Sequence, residues 1–216
     1  TLTVAVVGGG QLARMMGESA SALGITLKPL VEDAAGSAGS VIPGSLVGHA
    51  QDPAALAAIA AGADVLTVEH EHVDVSQMHD LMAAGIPVWP SPDALVFARD
   101  KIAMRRRLGE LGVPCPRWTE ATTAAQVRQF GDGAGWPVVV KTPRGGYDGK
   151  GVRLATSPDD IADWIESLES GAVAVDGLGG DGGASLLLEE RIPFTRELAA
   201  LVARRPGGPE AEIRAW

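Results

Sequence analysis

Residues 136–151, WPVVVKTPRGGYDGKG, constrain the fold more than any other stretch of the chain. Pro137-Val-Val-Val140 is a short β-branched run of the kind that forms a buried strand. Lys141 stands at its end, and the glycines Gly145, Gly146, Gly149 and Gly151 follow, interleaved with Tyr147, Asp148 and Lys150. Val152–Ala155 supplies a return strand, so the stretch reads as a hairpin with a glycine-rich loop. Glycines reach positive φ without a Cβ clash and let several backbone N–H groups converge on one anion. A strand-end lysine, such a loop and a second lysine make a polyphosphate clamp; the alternative is a turn whose charges are simply solvated. A Walker loop is excluded, because G-x-x-x-x-G-K-[ST] is absent and the lysine here precedes the glycines.

Upstream of this hairpin, strand and helix patterns alternate. Leu2–Val7 reads as a strand ending on Gly8-Gly9-Gly10, followed by a helix from Gln11 to about Leu23, then a strand Ile25–Val31 ending at Glu32-Asp33. Val41-Ile42 and Leu46–His49 read as short extended pieces. Asp52 caps a helix over Pro53–Ala61 with proline at its first position. The strand Val65–Val68 delivers Glu69, His70, Glu71 and His72 at its carboxyl end, where open α/β sheets hold their ligands. With continued extension, Glu69 and Glu71 share one face and the two histidines the other. A helix Ser76–Ala84 and a strand Ile86–Val88 complete a βα-type unit.

Gly8-x-Gly10-x-x-Ala13 with Glu32 after the next strand is a weak form of the dinucleotide fingerprint, and glycines there equally serve close helix–sheet approach. At Glu69–His72 the functional reading is a carboxylate accepting hydrogen bonds from a ligand's amine or hydroxyls. The alternatives are a solvated acidic loop and a metal site, the latter disfavoured because paired histidine ligands usually stand at helical i, i+4 or need a distant third partner.

Pro90-Ser-Pro92 punctuates the chain, and the predicted domains are 1–92 and 93–216. Asp93–Leu111 reads as one or two helices, with Arg105–Arg107 a solvated charged face. Thr123–Phe130 and Asp160–Glu169 are predicted helices. Ser185–Leu188 is a strand reaching Glu189-Glu190-Arg191-Ile192, and Pro193–Glu197 and Leu198–Arg204 resume as strand. At 216 residues, 46% of them hydrophobic, the chain has enough apolar material for two small cores. The net charge of −9 argues against nucleic acid as the main partner. Cys115 is the only cysteine, which excludes an internal disulfide or cysteine metal cluster and points to a reducing, cytoplasmic setting. Apolar runs are too short for a membrane helix, and a first strand beginning at once leaves no room for a signal peptide.

Five motifs in order, GGGQLARM (8–15), TVEHEHV (67–73), DKIAMRRRLGELGVPCPRW (100–118), VVVKTPRGGYDGKG (138–151) and LLLEERIPFTREL (186–198), resemble the ATP-grasp superfamily. Within it, the GGYDGKG loop and the GQL-x-RM start resemble the 5-(carboxyamino)imidazole ribonucleotide synthetases rather than the biotin carboxylases, D-alanine ligases or the formate-dependent glycinamide ribonucleotide transformylase. The resemblance implies an α/β chain: a Rossmann-like substrate domain that binds no dinucleotide, then an incomplete α+β ATP-grasp domain. It implies that Lys101 and Lys141 lie on the α- and β-phosphates of ATP, beneath a closing loop of Gly146, Tyr147, Asp148, Gly149, Lys150, Gly151 and Val152. It places Glu189, Glu190, Arg191 and Ile192 around adenine and Glu197 on the ribose. Gln11, Leu12 and Glu69 would face 5-aminoimidazole ribonucleotide, with Tyr147 and Lys150 reaching it on closure.

The implied reaction is attack of bicarbonate on the γ-phosphate to give carboxyphosphate, followed by capture of the carboxyl group by the ribonucleotide's amine. The Mg²⁺ ligands of the family would fall beyond Trp216. No catalytic side chain is therefore assigned in this span, and the chain alone is expected not to turn over. A homodimer is the implied assembly. The competing readings are another ATP-grasp ligase with a different acceptor, a nicotinamide-dependent oxidoreductase built on Gly8–Ala13, and a non-catalytic nucleotide-binding module.

Overall fold

The computed structural model describes residues 1–145, 151–170, 184–204 and 213–215. Strand and helix alternate at first: β1 (Thr3–Val7), α1 (Gln11–Ala22), β2 (Thr26–Val31), β3 (Leu46–Val47), α2 (Pro53–Ala60), β4 (Val65–Val68) and α3 (Val75–Ala83). These strands pair in parallel in the order β3-β2-β1-β4. A parallel sheet is covered on both faces, and successive residues of β1 and β2 divide accordingly. Ala5, Val7 and Leu30 pack with Leu56 and Ile59 of α2 and Met78 of α3. Val6, Leu27 and Val31 pack instead with Ala13 and Ala20 of α1. Asp52 and Asp74 accept backbone N–H groups at the starts of α2 and α3, satisfying donors the helices cannot pair internally. Strand order reverses between β1 and β4, which puts a ligand crevice at their carboxyl ends.

Two short helices, α4 (Leu95–Arg99) and α5 (Lys101–Glu110), lead to the second sheet. Asp100 breaks them apart: it is extended, and its carboxylate accepts the N–H groups of Ile102 and Ala103, both at 2.9 Å. The elements that follow are β5 (Trp118–Ala121), α6 (Ala124–Ala134), β6 (Val138–Lys141), β7 (Val152–Ala155), α7 (Ala162–Ser170) and β8 (Leu186–Glu190). The sheet is antiparallel, in the order β5-β8-β6-β7. Ala121, Val138, Val140, Ala155, Leu186 and Leu188 face a core completed by Val127 of α6 and Trp164, Ile165 and Leu168 of α7. By alternation, Trp118, Leu187, Glu189, Val139, Lys141, Val152 and Leu154 occupy the opposite face. A separate antiparallel pair joins β9 (Val202–Arg204) to β10 (Ile213–Ala215).

Three expectations about strands need correction. Val41 and Ile42 lie in turns; Ile42 is apolar because it packs against α1, where a Cβ on Gly17 would meet its Cδ1 at 2.8 Å. Ile86–Val88 forms only an isolated parallel bridge from Val88 to Leu66. Pro193–Leu201 is not strand. Phe194, Leu198 and Leu201 are exposed there, so the apolar pattern that suggested a strand has no partner surface among the described residues.

Candidate nucleotide and substrate site

The face of the antiparallel sheet turned away from α6 and α7 carries a buried ion cluster. In the β6–β8 register Val139 stands opposite Glu189 and Lys141 opposite Leu187, so Lys141 and Glu189 are diagonal neighbours on one face. The Lys141 ammonium pairs with Glu189 Oε2. Arg105 Nε donates to Glu189 Oε1 at 2.5 Å from α5. Glu189 is 3% exposed, which by itself pushes its carboxyl pKa up. The hydrogen bonds and charges of Arg105 and Lys141 outweigh that burial and hold it below the ordinary glutamate value.

Lys101 opens α5 one helical turn before Arg105, on the same side of the helix. Its Nζ donates to the carbonyl of Gly145 at 2.8 Å, and its own N–H donates to the carbonyl of Pro143 at 2.9 Å. Burial lowers its pKa, and the nearby positive charge of Lys141 lowers it further, against opposing effects of Asp100 and Glu71. The two lysines thus converge, one from a helix start and one from a strand end. Arg144 extends the tie between α5 and the hairpin through an ion pair with Asp100 at 3.0 Å. The hairpin loop is closed at its base, where buried Thr142 donates its N–H to the carbonyl of Gly151 at 2.9 Å. Gly151 has φ 71°, a left-handed conformation that glycine adopts without strain, and Val152 begins β7. Gly146, Tyr147, Asp148, Gly149 and Lys150 lie outside the described residues.

At the reversal point of the parallel sheet, the Glu69 carboxylate sits across the glycine turn that follows β1. Its Oε2 accepts the N–H of Gly10, the N-cap of α1, at 2.8 Å. Only glycine fits beneath it: a Cβ on Gly8 (φ 127°) or Gly10 would come within 2.6 or 2.5 Å of its oxygens. A cavity of about 560 Å³ opens beside this turn, lined by Gly8–Gly10, Leu12, Glu32, Glu69 and Glu71. Gln11 is exposed and accepts a hydrogen bond from the Ser37 hydroxyl at 2.9 Å, and Leu12 is exposed at the rim. The strand ends at Val68, so the expected alternation of Glu69, His70, Glu71 and His72 does not continue. His70 and His72 instead lie with their ring centroids 5.9 Å apart.

The end of β8 and the residues after it make few contacts among the described residues. Glu190 lies 4.0 Å from Arg117, and Arg191, Ile192 and Glu197 are exposed. Among the described residues, no group of three or more His, Cys, Asp or Glu side chains is arranged to hold a metal ion, and no helix is long and apolar enough to cross a membrane. Arg105, Asp100 and Arg144 were not singled out as site residues from the sequence. The signal for Arg105 is its i, i+4 spacing from Lys101, which separates it from Arg106 and Arg107; those two pair with Glu120 and Glu110.

A parallel sheet ending on a glycine turn, followed by an antiparallel sheet with converging lysines over a buried glutamate, matches what comparison with known proteins finds. The chain belongs to the ATP-grasp family: that family's domain model matches residues 106–213, and the ribonucleotide synthetase preATP-grasp domain matches residues 1–99. Its relatives include N5-carboxyaminoimidazole ribonucleotide synthases. The enzyme of Mycobacterium tuberculosis (strain H37Rv) is 46% identical over 213 residues, which are 99% of this chain and 46% of that protein. The Aspergillus clavatus carboxyaminoimidazole ribonucleotide synthase complexed with ATP superposes with a TM-score of 0.80 at 28% identity, covering 100% of this chain and 53% of that one. The Aspergillus clavatus synthase in complex with ADP and 5-aminoimidazole ribonucleotide gives a TM-score of 0.75 at 26% identity, covering 100% of this chain and 52% of that one. The chain spans about half the length of the curated relatives it matches.

Proposed function

We propose that this chain carries the nucleotide- and substrate-binding part of an ATP-dependent ligase. The ligase carboxylates 5-aminoimidazole ribonucleotide with bicarbonate through carboxyphosphate, releasing ADP and phosphate, in de novo purine biosynthesis. Residues 1–92 serve as the substrate domain and 93–216 as the nucleotide-binding part. One observation carries the reading: Lys101 at the start of α5, donating to the Gly145 carbonyl, and Lys141 at the end of β6, paired with Glu189, both stand at the base of the β6–β7 hairpin. Arg105 and Lys141 already share the single buried carboxylate of Glu189, and the excess positive charge costs free energy unless a further anion offsets it. A nucleotide's phosphates supply that anion.

In this reading the two ammonium groups neutralise charge on the phosphates and hold them in line for attack, which is most of what phosphoryl transfer asks of a protein. Glu189 sets where Lys141 stands, and the hairpin loop from Gly146 to Val152 closes over the phosphates. Glu190, Arg191 and Ile192 follow along the adenine, and Glu197 meets the ribose. Glu69, Gln11 and Leu12 line the ribonucleotide's end, with Tyr147 and Lys150 coming from the loop. Mg²⁺ would add charge neutralisation on the phosphates. The described residues do not fit a site for it, since they bring together no cluster of three His, Cys, Asp or Glu side chains. The intact enzyme is a homodimer in the cytoplasm, and the chain alone binds without turning over.

The test is calorimetric titration of ADP into the chain and its Lys141→Ala variant. ADP affinity is expected to fall roughly tenfold or more on losing one partly buried cation. Binding of 5-aminoimidazole ribonucleotide should stay unchanged. Equal ADP affinity in the two proteins would defeat the assignment.

A further inference from the structure

The geometry points to Arg105 as a positioning residue for the nucleotide site: by occupying one oxygen of Glu189, it keeps Lys141 on the other and leaves the cluster with a net positive charge. This rests on the nucleotide reading above. A lysine alone against a buried carboxylate forms a neutral pair with little field left for a phosphate. In this chain the carboxylate is shared. Arg105 Nε holds Oε1 at 2.5 Å while the Lys141 ammonium holds Oε2, and both side chains are largely buried, at 16% and 23% exposed.

Two cations on one carboxylate leave one uncompensated positive charge, in a place where water screens it weakly. The arrangement also fixes direction. With Oε1 taken by the guanidinium, Lys141 cannot slide to bridge both oxygens, so its remaining N–H donors stay turned from Glu189. Arg105 does not need to touch the ligand for this, because it acts through Glu189. A purely structural ion pair would not require a second cation on the same carboxylate, and burying three charges together is costly for stability alone.

The experiment uses the 216-residue chain and the variants Arg105→Gln, Arg105→Lys, Glu189→Gln and the double variant R105Q/E189Q. Glu189 is followed by carboxyl-carbon NMR titration, and ADP and inorganic tripolyphosphate are titrated calorimetrically. In R105Q the Glu189 titration should move to higher pH, and affinity for both ligands should drop roughly tenfold, the scale of one weakly screened charge. R105K should recover most of that affinity. In the E189Q background, the further R105Q change should cost less than it does alone, because only the lost charge, and no longer the lost placement of Lys141, is then felt.

An equal R105Q loss in both backgrounds, or an unmoved Glu189 titration, overturns the inference. Should R105Q fail to fold, R105K decides alone: a tenfold affinity loss despite the retained charge also overturns it. If the unsubstituted chain binds neither ADP nor tripolyphosphate, the nucleotide reading falls, and the Glu189 titration in R105Q then judges the pairing by itself.

Discussion

At the scale of single residues, Lys101 makes a prediction that Lys141 does not. Burial, then the charge of Lys141, hold its pKa below the ordinary lysine value of 10.5. Its ammonium form is the one that attracts phosphate, so its attraction is present below the lowered pKa and is lost as pH rises through it. That loss begins earlier than for an exposed lysine. ADP affinity of the unsubstituted chain should therefore weaken on the alkaline side while the pH is still below 10.5. Lys101→Arg should flatten this limb, because a guanidinium keeps its proton throughout. Calorimetry at neutral and alkaline pH checks both proteins, and a limb of equal depth in the two would show that Lys101 is not the group responsible.

At the scale of elements, α6 and the turn after it give a paired test. Gly131 and Gly133 both lie within α6. A Cβ on Gly131 would come within 2.1 Å of the Trp136 ring, whereas one on Gly133 would meet nothing within 4 Å. Gly133→Ala should stabilise the chain by about 0.5–1 kcal/mol, the ordinary helix gain over glycine. Gly131→Ala should destabilise it by about 1–3 kcal/mol, because the overpacked indole outweighs the same gain. Urea unfolding of the two variants settles the sign.

The same contrast explains what the sequence made legible. The β6–β7 hairpin, the glycine turn after β1 and the cap at Asp52 follow from residues close together in the chain, where period and spacing carry the information. Lys101 and Lys141 stood out by their position at element ends and by the motifs they share with a family. Arg105 did not, because its meaning comes from Glu189, which a different element places beneath it. Ile42 and Val88 were misread for a related reason: each is apolar because of a tertiary neighbour, α1 for one and Leu66 for the other.

At the scale of the whole molecule, the two sheets are covered unequally among the described residues. The parallel sheet is packed on both faces. Among the described residues, α6 and α7 pack on one face of the antiparallel sheet. On the other, Lys141 and Glu189 lie beneath α5, but Val152 and Leu154 at the hairpin edge are 41% and 53% exposed. An acyl phosphate survives only where water is kept out, and an enzyme passing one between two steps must close over it. The described residues build the floor of such a site and one flank of it. The relatives extend to about twice this length, which is material enough for a roof. The chain should thus bind ADP yet release no phosphate above background when given ATP, bicarbonate and 5-aminoimidazole ribonucleotide. A chain of the relatives' full length should release phosphate in step with carboxylated product. Phosphate release measured on both separates the cases: steady turnover by the 216-residue chain would mean that its open sheet face is already sufficient for catalysis.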